Sequence, residues 1–181
     1  MKGYSRQNQL LSLCGLNCGL CQMKLAGYCP GCGGGAGHQP CAVIRCALAH
    51  GGHEYCYLCE EYPCDRHADA MEFDSFITHR NMLADLEKAK TIGIESYNGE
   101  QREKVEILRE LLENFNDGRR KTFYCAAVNL LDLESIRLAI AQITASISAE
   151  TTPKERAAVA VRLLQRQADN RGISLKLRKK R

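Results

Sequence analysis

The run Cys14-Gly15-Leu16-Asn17-Cys18-Gly19-Leu20-Cys21 opens a segment that continues through Cys29-Pro30-Gly31-Cys32 and Cys41-Ala42-Val43-Ile44-Arg45-Cys46-Ala47. It closes on Cys56-Tyr57-Leu58-Cys59-Glu60-Glu61-Tyr62-Pro63-Cys64. Ten of the chain's 11 cysteines fall in these 51 positions, and only Cys125 stands apart. Three pairs, Cys18/Cys21, Cys29/Cys32 and Cys56/Cys59, have two intervening residues. That spacing lets one tight turn aim two thiolates and their neighbouring amides at a cation, and two such turns enclose a tetrahedral ion. Pro30 and Gly31 suit a turn of this kind, since proline fixes one dihedral and glycine admits a positive φ.

A cysteine density this high means either disulfides or metal, and the redox compartment decides. The longest apolar stretch before Cys14 is Leu10–Leu11, short of the roughly 7–15 residues of a secretory leader. The chain has no run of about 18 apolar residues. The expectation is therefore a cytoplasmic protein that keeps its cysteines reduced and uses them as ligands. Cys14, Cys18, Cys21, Cys29, Cys32, Cys41, Cys46, Cys56, Cys59 and Cys64 fill two four-cysteine sites with two thiols left over. Two histidines would complete a third. His38, His50, His53 and His67 stand in or just after the run, each of them reading first as a solvated loop residue, and His79 reads as a surface residue.

Two or three zinc ions are expected, because paired two-residue turns favour zinc. The alternative is an iron–sulfur cluster. The spacing Cys14-x3-Cys18-x2-Cys21 is also that of radical enzymes holding a four-iron cluster, but Leu20 stands where those carry an aromatic residue. The alternating strand–helix pattern of their barrel is missing as well, which leaves a structural or electron-transferring cluster.

With these motifs the chain resembles the cysteine-rich proteins of domain-of-unknown-function family 3795, found in bacteria and archaea. The likeness covers residues 14–64: a C-G-L-x-C-x-x-C opening, the Cys29–Cys32 knuckle, a stretch around Ile44-Arg45, and a C-x-x-C-x-x-[YF]-P-C close. A second likeness lies in Asp117–Ala126. Gln22 stands where many members have proline, and His50 where lysine is common. The resemblance implies a metal binder, zinc in the first place, and brings no activity or substrate with it.

Composition changes near residue 70, after which helical patterns replace a segment holding 11 of the 15 glycines. This predicts a mainly α protein: a loop-rich cysteine module over residues 1–70, then a bundle of about four helices over 71–181. Asp74–Gly93 reads as a helix with Phe76, Ile77, Leu83 and Leu86 inward and Gly93 as its stop. Glu100–Phe115 reads as a second, with Val105, Leu108, Leu112 and Phe115 inward, ending at Asn116-Asp117-Gly118. Apolar Thr122–Leu131 follows. Asp132 can cap a helix to about Ser148, with Leu133, Ile136, Ile140 and Ile143 inward. Thr152-Pro153-Lys154-Glu155 is a capping box for a last helix to Arg171, with Gly172 as the left-handed residue. Ile173–Arg181 reads as a frayed, solubilising tail.

Charge narrows the function classes. The net charge is +4, but residues 171–181 carry six basic side chains and no acid, so the body is slightly acidic. Between Cys14 and Cys64 the only basic residues are Lys24 and Arg45, against Glu54, Glu60 and Glu61. Knuckles that grip RNA interleave basic and aromatic residues with their ligands, so nucleic acid is a poor fit and an unidentified protein partner a better one. No catalytic constellation stands out. Gly33-Gly34-Gly35 lacks the Lys-Ser/Thr of a phosphate loop, and Glu60/Glu61 reads as a solvated pair. Cys125 follows Arg119-Arg120-Lys121, which would favour a thiolate, but its apolar surroundings read as a helix core.

Overall fold

The computed structural model describes residues 4–36 and 41–180. Among these the regular structure is helical: α1 (Gln22–Leu25), α2 (Ala42–Ala49), α3 (Asp65–Met71), α4 (Met82–Ile92), α5 (Ile94–Asn114), α6 (Lys121–Leu130), α7 (Leu133–Ala145) and α8 (Pro153–Asn170). Single 3-10 turns at Cys18–Leu20 and Cys56–Leu58 complete it. The protein is mainly α with a loop-rich N-terminal region. No described helix is long and apolar enough to cross a membrane.

The chain forms two compact units, one running to Arg102 and regaining the chain from Arg178 onward, the other Glu103–Leu177. The division falls inside α5 rather than near residue 70, where composition changes. Burial explains why. Leu11 and Tyr55 of the cysteine-rich segment share one apolar cluster with Leu86, Ala89 and Tyr97, so α4 and the first turns of α5 belong with the cysteines. A second cluster joins Leu13, Cys32, Ile44 and Ala47, with Cys18, Cys41 and Cys56 packed against it. Fully burying each large apolar side chain contributes about 1.5–3 kcal/mol.

Buried hydrogen bonds fix the loops of the first unit. Asn17, 2% exposed, donates to Asp85 Oδ2 (2.8 Å) and accepts from the Tyr97 hydroxyl (2.9 Å). The Cys56 amide donates to the Leu13 carbonyl (2.9 Å), and the Arg6 amide to the Gly33 carbonyl (3.2 Å). Arg6 also reaches the Leu11 carbonyl (3.0 Å) and the Glu54 carbonyl (2.7 Å) through its guanidinium.

The predicted helix over Asp74–Gly93 begins only at Met82. Asp74 turns the preceding residues into a loop by accepting from the His79 amide (2.8 Å) and the Thr78 hydroxyl (3.4 Å), a local competitor of the helix. Phe76 is accordingly 57% exposed, and Met82, Leu86 and Ala89 form the inward face. Gly93, at φ +83°, ends α4 as expected, but α5 starts at once with Ile94 rather than near Glu100, because Tyr97 adds a fully buried anchor ahead of the charged stretch.

In the second unit Leu108, Leu111 and Phe115 of α5 are buried, so Leu111 takes the place expected for Leu112. The Tyr124 hydroxyl donates to the Phe115 carbonyl (2.7 Å). Asp132 caps α7 by accepting from the Ser135 amide (2.8 Å), with Ile136, Ala139 and Ile143 inward and Leu133 and Ile140 partly covered. Thr152 and Glu155 form both halves of the capping box of α8, which packs on α7 and α6, and Gly172 takes φ +64°. Cys125 is 4% exposed within α6, a core position.

The tail differs from expectation. In the first unit the Asp74 amide donates to the Arg178 carbonyl (2.8 Å), the Arg178 amide donates to Asp74 Oδ2 (2.8 Å), and its guanidinium reaches Oδ1 (3.2 Å). Lys180 lies 5.2 Å over the Phe73 ring. The terminal segment is docked, and its partner lies 104 residues away, out of reach of local patterning.

Candidate metal centre

Turn geometry comes first, because it decides where the thiols point. The Cys21 amide donates to the Cys18 carbonyl (3.1 Å), and the Cys59 amide to the Cys56 carbonyl (3.0 Å), so each two-residue pair closes a single 3-10 turn. In the third pair Gly31, at φ +85°, swings its amide onto Cys29 Sγ (3.4 Å). The Cys14 thiol faces the Ser12 hydroxyl (3.2 Å) and the Leu16 amide, and the Cys18 thiol faces the Cys32 amide. Amides directed at sulfur favour the anionic form.

The thiols gather in two groups within the first unit. Cys18, Cys21, Cys29 and Cys32 surround the half-buried Lys24, whose ammonium donates to the Gln9 carbonyl (2.5 Å) and lies beside Gly31. Burial lowers the Lys24 pKa, and the four sulfurs around it oppose that shift. Cys46, Cys56, Cys59 and Cys64 line a second place, a cavity of ≈ 30 Å³ shared with His50, His53 and His67. That is room for about one water-sized guest. Cys14 is near members of both groups, its thiol interacting electrostatically with Cys18, Cys32 and Cys41 and with Cys56. Burial pushes the Cys14 thiol up to about 11 and those of Cys18 and Cys56 to about 12, with neighbouring sulfurs adding to it.

None of the eleven cysteines is joined in a disulfide. Among the described residues, no three cysteine, histidine, aspartate or glutamate side chains converge as a finished metal shell. The donor set nevertheless fits a thiophilic ion. Soft sulfur predominates, backbone amides face it, and a buried imidazole in the cavity has a ring nitrogen, His67 Nε2, with no hydrogen-bond partner.

The other histidines fall differently. His50, exposed at the end of α2, has Nδ1 2.8 Å from the Cys46 carbonyl oxygen and 3.7 Å from Cys46 Sγ, with Nε2 3.5 Å from Glu61. His79 is held in the loop before α4 by the Ala70 carbonyl (2.6 Å) and the Ser75 hydroxyl (2.9 Å). His38 lies outside the described residues.

Two features escape sequence reasoning. Lys24 among four thiols is one, since nothing in its local pattern marks it. The other is a polar cleft of ≈ 920 Å³ lined by Arg6, Asn8, Glu54, Tyr55, Asn98 and Arg102 among others. There the Asn8 amide donates to the Tyr55 hydroxyl (2.6 Å) and to Asn98 Oδ1 (3.0 Å), and Arg6 stacks 5.0 Å from the Tyr55 ring centroid, itself parallel to Tyr57. Its residues come from three separated stretches, and no spacing connects them.

Comparison with protein-family models, with curated proteins and with solved structures gives no match to this chain.

Proposed function

We propose that the protein binds zinc, as two or three ions held by thiolates from Cys14, Cys18, Cys21, Cys29, Cys32, Cys41, Cys46, Cys56, Cys59 and Cys64, and that the ions staple a loop-rich segment presenting a surface to a protein partner. One observation carries this reading: ten unbridged cysteines are gathered in one compact unit, two pairs of them on single tight turns and a third with the Gly31 amide on Cys29 Sγ. The resemblance to domain-of-unknown-function family 3795 supports it. When bound, zinc would supply cross-links worth about 10–16 kcal/mol in small peptide modules, ample to order loops with a modest apolar core.

The chain's own residues do the rest. The turns at Cys18–Cys21 and Cys56–Cys59 orient sulfur, and the Gly31 amide holds that of Cys29. Four thiolates on a divalent ion leave two negative charges, and the Lys24 ammonium offsets part of that excess. Residence in the reducing cytoplasm belongs to the same reading. So does the poor fit to nucleic acid, because Lys24 and Arg45 are the only basic residues between Cys14 and Cys64, against Glu54, Glu60 and Glu61.

The test is metal and acid-labile sulfide per chain, on protein purified anaerobically, with an absorption spectrum. Two or three zinc ions, no sulfide and no visible band are expected. Iron with matching sulfide and a broad visible band would replace this reading with an iron–sulfur or sulfur-handling protein.

A further inference from the structure

Cys64 and His67 stand three residues apart where α3 begins, a spacing that puts both side chains on one face. Cys64 Sγ and His67 Nδ1 are 3.9 Å apart. A tetrahedral zinc ion, with bonds of about 2.3 Å to sulfur and 2.0–2.1 Å to nitrogen, holds two such ligand atoms about 3.6 Å apart. The pair is therefore close to ligand spacing and well beyond a good hydrogen bond.

The His67 ring is also costly as it stands. The residue is 2% exposed, and among the described residues Nε2 is buried with no hydrogen-bond partner and Nδ1 has the Cys64 sulfur alone beside it. A buried imidazole ordinarily satisfies its nitrogens with oxygen or nitrogen partners. His50, lining the same cavity, does so: both of its nitrogens have oxygens beside them. Tyr62 meets the His67 ring edge-on at 5.5 Å and helps fix its orientation.

We infer that His67 is a nitrogen ligand of an ion held in this cavity by thiolates drawn from Cys46, Cys56, Cys59 and Cys64. This rests on the metal-binding reading and deepens it, because it makes the two groups of donors unlike. The group around Lys24 is all sulfur. The group lining the cavity mixes sulfur with one imidazole, so its bound ion carries one negative charge less and meets a weaker sulfur field. Of the three histidines on the cavity, the inference selects one.

The test uses the full chain with ¹⁵N-labelled histidine, its metal exchanged for ¹¹³Cd, which reports each site by its own NMR resonance. All-sulfur and mixed sulfur–nitrogen sites separate in shift, and a directly bound imidazole splits the cadmium signal by scalar coupling to ¹⁵N. At least one all-sulfur resonance and one resonance coupled to a single histidine are expected. The coupling should vanish in His67→Ala and persist in His50→Ala and His53→Ala. Cadmium bound with every resonance in the all-sulfur range, or coupling that disappears in His50→Ala or His53→Ala instead, would overturn the assignment while leaving the metal reading intact. A chain that takes up neither zinc nor cadmium would overturn both. The unmutated protein already distinguishes these cases, so a variant that fails to fold does not block the test.

Discussion

Gly15 sits at φ +93°, and a Cβ built there would lie 2.2 Å from the Met82 carbonyl oxygen and 2.9 Å from Leu86 Cγ. The loop carrying Cys14 can approach α4 this closely only without a side chain. Gly27, at φ +76° with nothing within 4 Å, has the same backbone need and no such neighbour. Gly15→Ala should therefore cost about 2–4 kcal/mol of stability, backbone strain plus a clash with main chain that cannot move aside. Gly27→Ala should cost about 1–2 kcal/mol, from strain alone. Denaturant unfolding of the two variants under one set of conditions compares them, and equal losses would refute the close-approach argument. The same residue shows what was legible and what was not. The Cys14-Gly15-Leu16 motif was legible as the opening of the cysteine run, but its partner lies on a helix some 67 positions further on, and no spacing rule reaches that far. His67 is similar: its candidacy as a ligand could be read from its place after the cysteine run, whereas its selection over His50 and His53 depends on burial.

Helix ends were the most legible elements, because their chemistry is local. Asp132 and the Thr152–Glu155 box act within three residues of themselves, and both caps form as their residue types require. The start of α5 was not legible, since Gly93 joins two helices without a polar cap and the reason for continuing, buried Tyr97, belongs to packing. Asp132 also makes the second unit acid-sensitive. Burial alone would raise its pKa, but the Ser135 amide and hydroxyl and the Arg171 guanidinium outweigh that and hold it at about 2, below its ordinary 3.8. A carboxyl depressed on folding stabilises most above its ordinary pKa, loses that contribution as pH falls toward the folded value, and contributes nothing below it. Asp132→Ala should cost about 1 kcal/mol at neutral pH through the lost cap, the Arg171 pair adding little because both side chains are more than a third exposed. Measured at pH 7 and again near pH 2, the gap between variant and parent should narrow. A gap that held constant would rule out the charged cap as its cause.

At the scale of the molecule, the two units differ in how their apolar side chains are carried. Glu103–Leu177 buries Leu108, Leu111, Ile136, Ile143 and Leu164 on long helices, whereas in residues 11–64 Leu11, Leu13, Leu20, Ile44 and Tyr55 are buried among short elements and loops. On the proposed metal-binding reading, a strong chelator under reducing conditions should raise amide hydrogen exchange across residues 11–64 and leave α7 and α8 protected. Exchange that rose equally in both units, or in neither, would contradict metal stapling. The fold class was readable from the sequence because amphipathic periodicity is a property of single helices. The compact units were not, since composition changes at residue 70 while packing carries on to Arg102. The return of the chain at Arg178 has a consequence for biosynthesis. A ribosome that has finished the first unit's opening stretch must still make the 75 residues Glu103–Leu177 before the segment that docks on Asp74 exists. At about 5–20 residues per second that interval is roughly 4–15 s. Throughout it ten thiols are already made while the segment that closes the first unit at Asp74 is not, a window in which they are open to oxidation and, on the reading proposed above, to misplaced metal ligation.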